Sequence, residues 1–421
     1  MIPSLILNFS LYLIALILVI VFFRKNYIAW MVFGLYALGS FCAIFIPTIG
    51  HYYVADIFIS TNYSIGNFVY LFILLCIFLI PVLQNGINYS KTIALISPLK
   101  NEILLASSIF YSFVLLLAIM LIAKYLLQSG FSFEKFMTSK DQAADNFEQL
   151  GFATSFIVKL AITFKDVFFI YAFYLLFNHP THKKIAIGVI VGSIAFLLMY
   201  SMAILSRNIL FHTIFSLMLV LSLFITYSND QIYQKLKKIV LGAIACIIGI
   251  IVFISVLRFF SDRNDAEYLQ YVMLRYAGEP ILNFGSWIDR IQEECHGVYN
   301  FSSFMSLFHI EPSRTFSEIR NYCYAQTHIP THIFYTFIGT LVMDFGKITT
   351  FFIALTCALF FSKKRLEYTP FYRIAFLYIY SLNLLSGYFF FYFMSKNMQL
   401  LVAIVFLCFL WETDKNNIER Q

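Results

Sequence analysis

Charge is what this sequence has least of. Asp, Glu, Lys and Arg make up 12% of its 421 residues, against 61% hydrophobic, whereas soluble domains are about a quarter charged. That scarcity excludes a soluble globular protein. The net charge of +7 then reads as orientation-setting basic residues, not as a nucleic-acid surface. No Asp-x-Asp occurs anywhere, so the paired carboxylates with which metal-dependent membrane glycosyltransferases hold a divalent ion are missing. No nucleotide-binding glycine motif is present and no Cys/His spacing suits zinc. Neither a metal nor a cofactor is expected, and an energy-coupled pump or a sugar-nucleotide enzyme is disfavoured. The first apolar run, 4–23, lacks the basic leader and small-residue cleavage site of a signal peptide, so a retained helix is expected. No internal repeat is visible.

What the chain does have is apolar runs long enough to span a bilayer, which takes about 20 residues per helix. Eleven are read, at about 4–23, 28–49, 67–83, 103–127, 153–177, 185–205, 209–226, 239–257, 332–361, 371–392 and 398–411. The expected fold is an all-α polytopic membrane protein. Residues 1–257 hold eight spans, 258–331 form a long polar segment, and 332–421 hold three spans and a short tail. With the N-terminus outside, every inner segment is basic: Arg24 and Lys25, Lys91 and Lys100, Lys183 and Lys184, Lys235 to Lys238, Lys363 to Arg365, and Lys415 with Arg420. That satisfies the positive-inside rule and puts the C-terminus in the cytoplasm.

The outer segment 258–331 carries Arg258, Arg263, Arg275, Arg290, Arg314 and Arg320 and no lysine. Guanidinium is the better planar, bidentate binder of phosphate and carboxylate. The plainer explanation is pairing with the nine acids of the same segment. Tyr268, Val272 and Tyr276, with Leu269 and Met273, give it an amphipathic helical face. Gly278 and Pro280 should end that helix. Ser286 with Asp289, and Thr315 with Glu318, resemble capping boxes of two further short helices. A folded helical cap on the outer surface is expected.

Arg207, in the break Ser206-Arg207-Asn208, precedes a span running inward, whose N-terminal N–H groups favour anions. The competing reading is an arginine snorkelling to lipid headgroups. His332 opens a later span on the same side, where the helix dipole keeps the imidazole neutral, as a general base requires. Arg275 lies in the last turn of the amphipathic helix and Glu279 follows it. Lys159, Lys165 and Asp166 lie inside the fifth span, where charges must pair or line a wet cavity. Lys159 and Asp166 share a face and form the default pair, with Lys159 also a candidate anion ligand. Asp344 and Lys347 flank Gly346 in the ninth span. Five cysteines read as core; Cys295 and Cys323 pair only if the long segment faces an oxidising compartment.

The stretches "SRN" (206–208), "RYAGEPILNF" (275–284) and "THIFYTFIGTLVMDFG" (331–346) together resemble bacterial Wzy-type oligosaccharide repeat-unit polymerases of O-antigen and capsule assembly, relatives of the O-antigen ligases. The resemblance covers the topology and about 40 motif residues. It implies glycosyl transfer at the periplasmic face of the inner membrane. A chain on undecaprenyl pyrophosphate would pass to the sugar end of a fresh lipid-linked unit. Matched by motif, Arg207, Arg275 and His332 would be catalytic. Arg258, Arg263, Glu279, Asn283, Arg290, Tyr335 and Lys159 would bind substrate. The partners implied are undecaprenyl-pyrophosphate-linked oligosaccharide, membrane lipid and a chain-length regulator. Tyr271, Tyr276, Phe284 and Trp287 would stack on sugars. Ligases carry Asn after the histidine and Ile333 stands here, which weakens that reading; a ligase passing finished polymer to a lipid A core stays the alternative among enzymes. A flippase of lipid-linked oligosaccharide is the alternative outside the enzymes.

Overall fold

A computed structural model of the chain describes residues 2–48, 63–85, 96–129, 152–204, 206–225, 231–262, 266–312, 314, 316–331, 333, 335–361, 370–388 and 397–418. Fourteen α-helices and no strand occur among them. They are α1 (Ile2–Phe22), α2 (Tyr27–Phe45), α3 (Ile65–Gln84), α4 (Pro98–Ser129), α5 (Phe152–Asn178), α6 (Lys183–Ala203), α7 (Arg207–Leu223), α8 (Gln231–Asp262), α9 (Ala266–Trp287), α10 (Val298–Leu307), α11 (Phe316–Thr327), α12 (Thr336–Phe360), α13 (Pro370–Ser386) and α14 (Asn397–Ile418). The described part of each of the eleven apolar runs falls mostly on a helix. Seven helices, α1 to α6 and α12, are long and apolar enough to cross a membrane. Their outward faces are greasy: Ile14, Phe22, Phe110, Phe113, Val191 and Ile348 are all more than half exposed. A water-facing surface would not carry so much apolar area, so the chain is an all-α polytopic membrane protein.

The described helices form two compact units. The first comprises Met1–Ile87, Asp265–Leu366 and Asn383–Asn397; the second comprises Asn88–Asn264, Glu367–Leu382 and Met398–Gln421. α13 contributes to both.

In the first unit, α2 is laced to its neighbours by buried polar groups. Asn26 caps it, its Oδ1 accepting from Ala29 N (3.2 Å), while its Nδ2 donates to Val82 O at the end of α3 (2.9 Å). Asn8 Nδ2 donates to Ser40 Oγ (2.8 Å), joining α1 to α2. The other face of α2 presents Gly39 and Ala43, a small-residue pair one turn apart, to α9. A Cβ on Gly278 would stand 2.7 Å from Ala43 N and 2.9 Å from Ala43 Cα. Small residues let helix backbones approach this closely. Gly39 in turn makes room for the Tyr388 hydroxyl, which donates to Ala277 O (2.6 Å).

α9 corrects one expectation. The helix does not stop at Gly278 and Pro280 but runs on to Trp287. Ser286 opens no new helix, because its hydroxyl donates back to Leu282 O (2.9 Å) inside α9. The glycine that reads as a breaker is the contact point with α2. α9 therefore packs against α2 and α3 as part of the unit's core, and residues 278–288 are buried. α11 begins at Phe316 with Glu318 in its first turn, where a helix is expected; Thr315 lies outside the described residues.

In the second unit, α4, α5 and α6 pack on one another and α7 on α6. Tyr111 stacks on Phe168 at 4.7 Å and its hydroxyl donates to Ala161 O (2.9 Å). Tyr174 accepts from Ile96 N (3.0 Å). Lys100 Nζ donates to Phe409 O (2.7 Å), bringing in α14.

Candidate functional site

Three polar clusters occupy the first unit. The first runs along α9. Arg275, Glu279 and Asn283 are spaced by four, so they share one helix face. Arg275 Nε donates to Glu279 Oε2 at 2.9 Å, and Asn283 Nδ2 lies 3.4 Å from Glu279 Oε1. Glu279 is 1% exposed and Asn283 fully buried, while the Arg275 side chain is 29% exposed. The buried carboxylate thus braces a guanidinium that reaches outward. Tyr335, at the N-terminal boundary of α12, is also buried, and its hydroxyl finds no hydrogen-bond partner among the described residues. Tyr335 is therefore a standing donor beside an acid–base pair.

The second cluster sits where α3 begins, α9 ends and α12 resumes. Asn67 Nδ2 donates to Asp289 Oδ2 (2.8 Å) and Gly285 O (3.3 Å), while Asn67 Oδ1 accepts from Lys347 Nζ (2.8 Å). Lys347 also pairs with Asp289. Partial burial pushes the Asp289 carboxyl up, but the Lys347 hydrogen bond and charge, with Asn67 and Ser64, outweigh it and hold the group below its usual value. Arg290 follows, exposed, with its guanidinium 4.9 Å from the Trp287 ring centre.

The third cluster is Asp344, fully buried in α12. It accepts from Tyr299 N (2.9 Å), Asn300 N (2.8 Å) and Asn300 Nδ2 (2.7 Å). A carboxylate here neutralises the exposed N–H groups and positive dipole end of α10. Two residues on, α12 breaks at Gly346, whose φ of +72° and ψ of 172° are open only to glycine. Its missing Cβ leaves the space that Glu294 Oε1 fills, 2.1 Å from where that atom would stand.

The second unit holds Arg207 and an unforeseen triad. Arg207 is the first residue of α7, after Ser206 in extended conformation. Ser206 N donates to Ser201 O (3.0 Å) and Ser201 Oγ to Ser206 O (2.9 Å), closing a tight turn from α6 to α7. Arg207 is 8% exposed, so it is buried at a helix N-terminus and does not snorkel. Deeper in the unit, Lys165 Nζ donates to Asp166 Oδ1 (2.8 Å) and lies 2.9 Å from the His212 ring. His212 Nε2 stands 3.5 Å from Asp166 Oδ1. A lysine ammonium only donates, and Lys165 Nζ is equally close, at 2.9 Å, to both ring nitrogens of His212, so one of them accepts from it. Asp166 is thus held by its sequence neighbour Lys165 and not by Lys159, which is exposed.

Of the sequence candidates, Arg275, Glu279, Asn283 and Tyr335 gather in the first unit. Arg290 lies near them in sequence but on the surface. Arg207 and Lys159 belong to the second unit. His332 and Arg263 lie outside the described residues, and of Arg258 and Tyr271 only the helical backbone is described. Phe284 is fully buried, against the position a Cβ of Gly339 would take, so it packs the core and is not open to stack on a sugar. His212, Asn67, Asp289 and Asn300 escape sequence reasoning. His212 and Asn67 carried a signal, a polar side chain in or at the start of an apolar run; Asp289 and Asn300, inside the polar segment 258–331, carried none.

Comparison of the chain with protein-family models, curated proteins and solved structures finds no match.

Proposed function

We propose that the protein polymerises undecaprenyl-pyrophosphate-linked oligosaccharide repeat units at the periplasmic face of the bacterial inner membrane, in O-antigen or capsule assembly. The observation that carries this reading is the α9 face. A partly exposed Arg275 is braced by buried Glu279 beside the unpartnered hydroxyl of Tyr335. A diphosphate leaving group needs fixed positive charge, and guanidinium supplies it without metal. A sugar needs buried donors and acceptors such as Tyr335, Glu279 and Asn283. The resemblance of 206–208, 275–284 and 331–346 to the Wzy-type polymerases supports the same reading. It gives His332 the role of base toward the attacking hydroxyl and Arg207, at the start of α7, a second anion contact. In this reading the N-terminus and residues 258–331 face the periplasm, and the C-terminus the cytoplasm. A chain-length regulator is the expected protein partner.

Purified full-length protein incubated with a defined undecaprenyl-pyrophosphate oligosaccharide should give a ladder on a gel. Absence of any product longer than the added unit, in protein that remains folded, rejects the assignment.

A second reading, transport of the lipid-linked oligosaccharide, is favoured by the Lys165–Asp166–His212 triad, since ionisable groups within membrane segments commonly line substrate or proton paths. Deletion strains separate the two. Loss of a polymerase leaves single repeat units on the cell surface; loss of a transporter strands them inside.

A further inference from the structure

We propose that Cys295 and Cys323 are joined by a disulfide in the mature protein, fastening the segment before α10 to α11. Both residues are 0% exposed, and the two thiols are within hydrogen-bonding reach of each other. The structure holds them as free thiols, but their backbones are already pinned. Cys295 N donates to Met343 O (2.9 Å) and Cys295 O accepts from Val298 N (3.0 Å). Cys323 O accepts from Thr327 Oγ1 (2.6 Å). The same two segments are joined by Gln292 N donating to Thr327 O (3.4 Å), so a bond between the two sulfurs would link parts of the chain that already meet. The competing explanation is two cysteines used as small core hydrophobes. The other five argue against it: Cys42, Cys76, Cys246, Cys357 and Cys408 are all half-buried or exposed. The two that are completely buried are the two that meet.

Timing follows from the chemistry. In the folded thiol form, the Cys323 hydrogen bond and then burial hold the Cys295 thiol well above its ordinary range, so little thiolate is available. Oxidation therefore belongs to folding, before the pair is enclosed. The thiolate of one cysteine attacks a disulfide donor of the dithiol-oxidase class, forming a mixed disulfide and releasing one donor thiolate. The second cysteine loses its proton and attacks the mixed disulfide at the protein sulfur. The Cys295–Cys323 bond forms and the second donor thiolate leaves. Two electrons pass to the donor, which ends as a dithiol. The inference rests on the proposed function in one respect: the periplasmic orientation supplies the oxidant.

The test uses the full chain in its membrane. Cells are quenched in acid, and the protein is alkylated with N-ethylmaleimide in denaturant without reductant, then digested with trypsin. Cleavage after Arg290, Arg314, Arg320 and Lys347 puts each cysteine alone in its peptide, 291–314 and 321–347. The expected result is these two peptides linked, separating on reduction. Both peptides carrying maleimide overturns the disulfide. An Arg290→Cys reporter, in a background with all seven native cysteines replaced by serine, then tells which premise failed. Labelling by an impermeant maleimide on intact spheroplasts leaves the orientation standing and rejects the disulfide alone. Labelling only after lysis rejects the orientation, and the proposed function with it.

Discussion

The Asp344 carboxylate on α12 accepts from the backbone N–H groups of Tyr299 and Asn300, closing the N-terminus of α10 from 45 residues away. The contact is buried on both sides, so it cannot be replaced by water. Asp344→Ala orphans the Tyr299 and Asn300 backbone N–H groups at about 1–3 kcal/mol each, while Asn300 Nδ2 keeps Thr340 O (2.9 Å). Asp344→Asn, which keeps one carbonyl acceptor, should cost less. Thermal melting of detergent-solubilised protein should rank wild type above Asn above Ala. Equal melting of all three would show that α10 does not depend on this cap.

Gly346 should resist any side chain. An alanine there is strained at φ +72° and meets the Glu294 carboxylate. The backbone strain alone is worth about 1–3 kcal/mol. Gly346→Ala is expected to melt lower than wild type, and adding Glu294→Ala should recover the part due to the collision. A recovery to the full wild-type value would mean that backbone conformation is not limiting.

Arg275→Ala should lower the polymerisation rate by about 100-fold, the scale for loss of one charge-stabilising donor, while the protein still inserts. Arg275→Lys should rescue poorly if the planar guanidinium matters. Glu279→Gln should raise KM more than it lowers kcat if Glu279 only braces the arginine. Ladder length and yield from membranes read all three. Wild-type polymer from Arg275→Ala would remove Arg275 from the reaction.

Asp289 gives the pH prediction. Its folded value lies below the ordinary carboxylate range, so the stability it contributes is complete above that range and fades as pH falls through the lower folded value. Acid titration of melting temperature below about pH 4 should therefore show a limb that Asp289→Asn flattens. The limb should be shallow, because the Asp289 side chain is half exposed. An unchanged acid limb in Asp289→Asn would assign it to other carboxylates.

The triad in the second unit should behave as a coupled pair. Lys165→Met removes the ammonium 2.8 Å from Asp166; because Asp166 is 19% exposed, the loss should fall below the about 3–5 kcal/mol of a fully buried pair. Lys165→Met with Asp166→Asn should regain much of that loss. Additive losses in the double variant would show that the two charges do not compensate each other.

The helices were legible because apolar runs of spanning length leave the backbone little choice: the described part of all eleven lies mostly on helices. α9 misled for a physical reason. Gly278 and Pro280 weaken a helix in isolation, glycine by about 1 kcal/mol, but Gly278 gains close contact with Ala43 of α2 that a larger side chain would forbid. Propensity gave way to packing. The shared face of Arg275, Glu279 and Asn283 was hidden for the same reason: a helix ending at Gly278 leaves Glu279 and Asn283 outside it, and only the unbroken α9 aligns the three. The partners of Asp344, Asp289 and Lys165 were not legible either, because Asn300, Asn67 and His212 stand 44, 222 and 47 residues away. Chain distance of that kind leaves no periodic trace in one sequence.

The division of α13 has a consequence for synthesis. The first unit requires residues 383–397 and the second requires 367–382 and 398–421. A nascent chain emerging from the ribosome therefore completes neither unit before α13 and the residues that follow it have been made. A stop codon between 383 and 397 should damage both units, whereas one beyond 397 should truncate only the second.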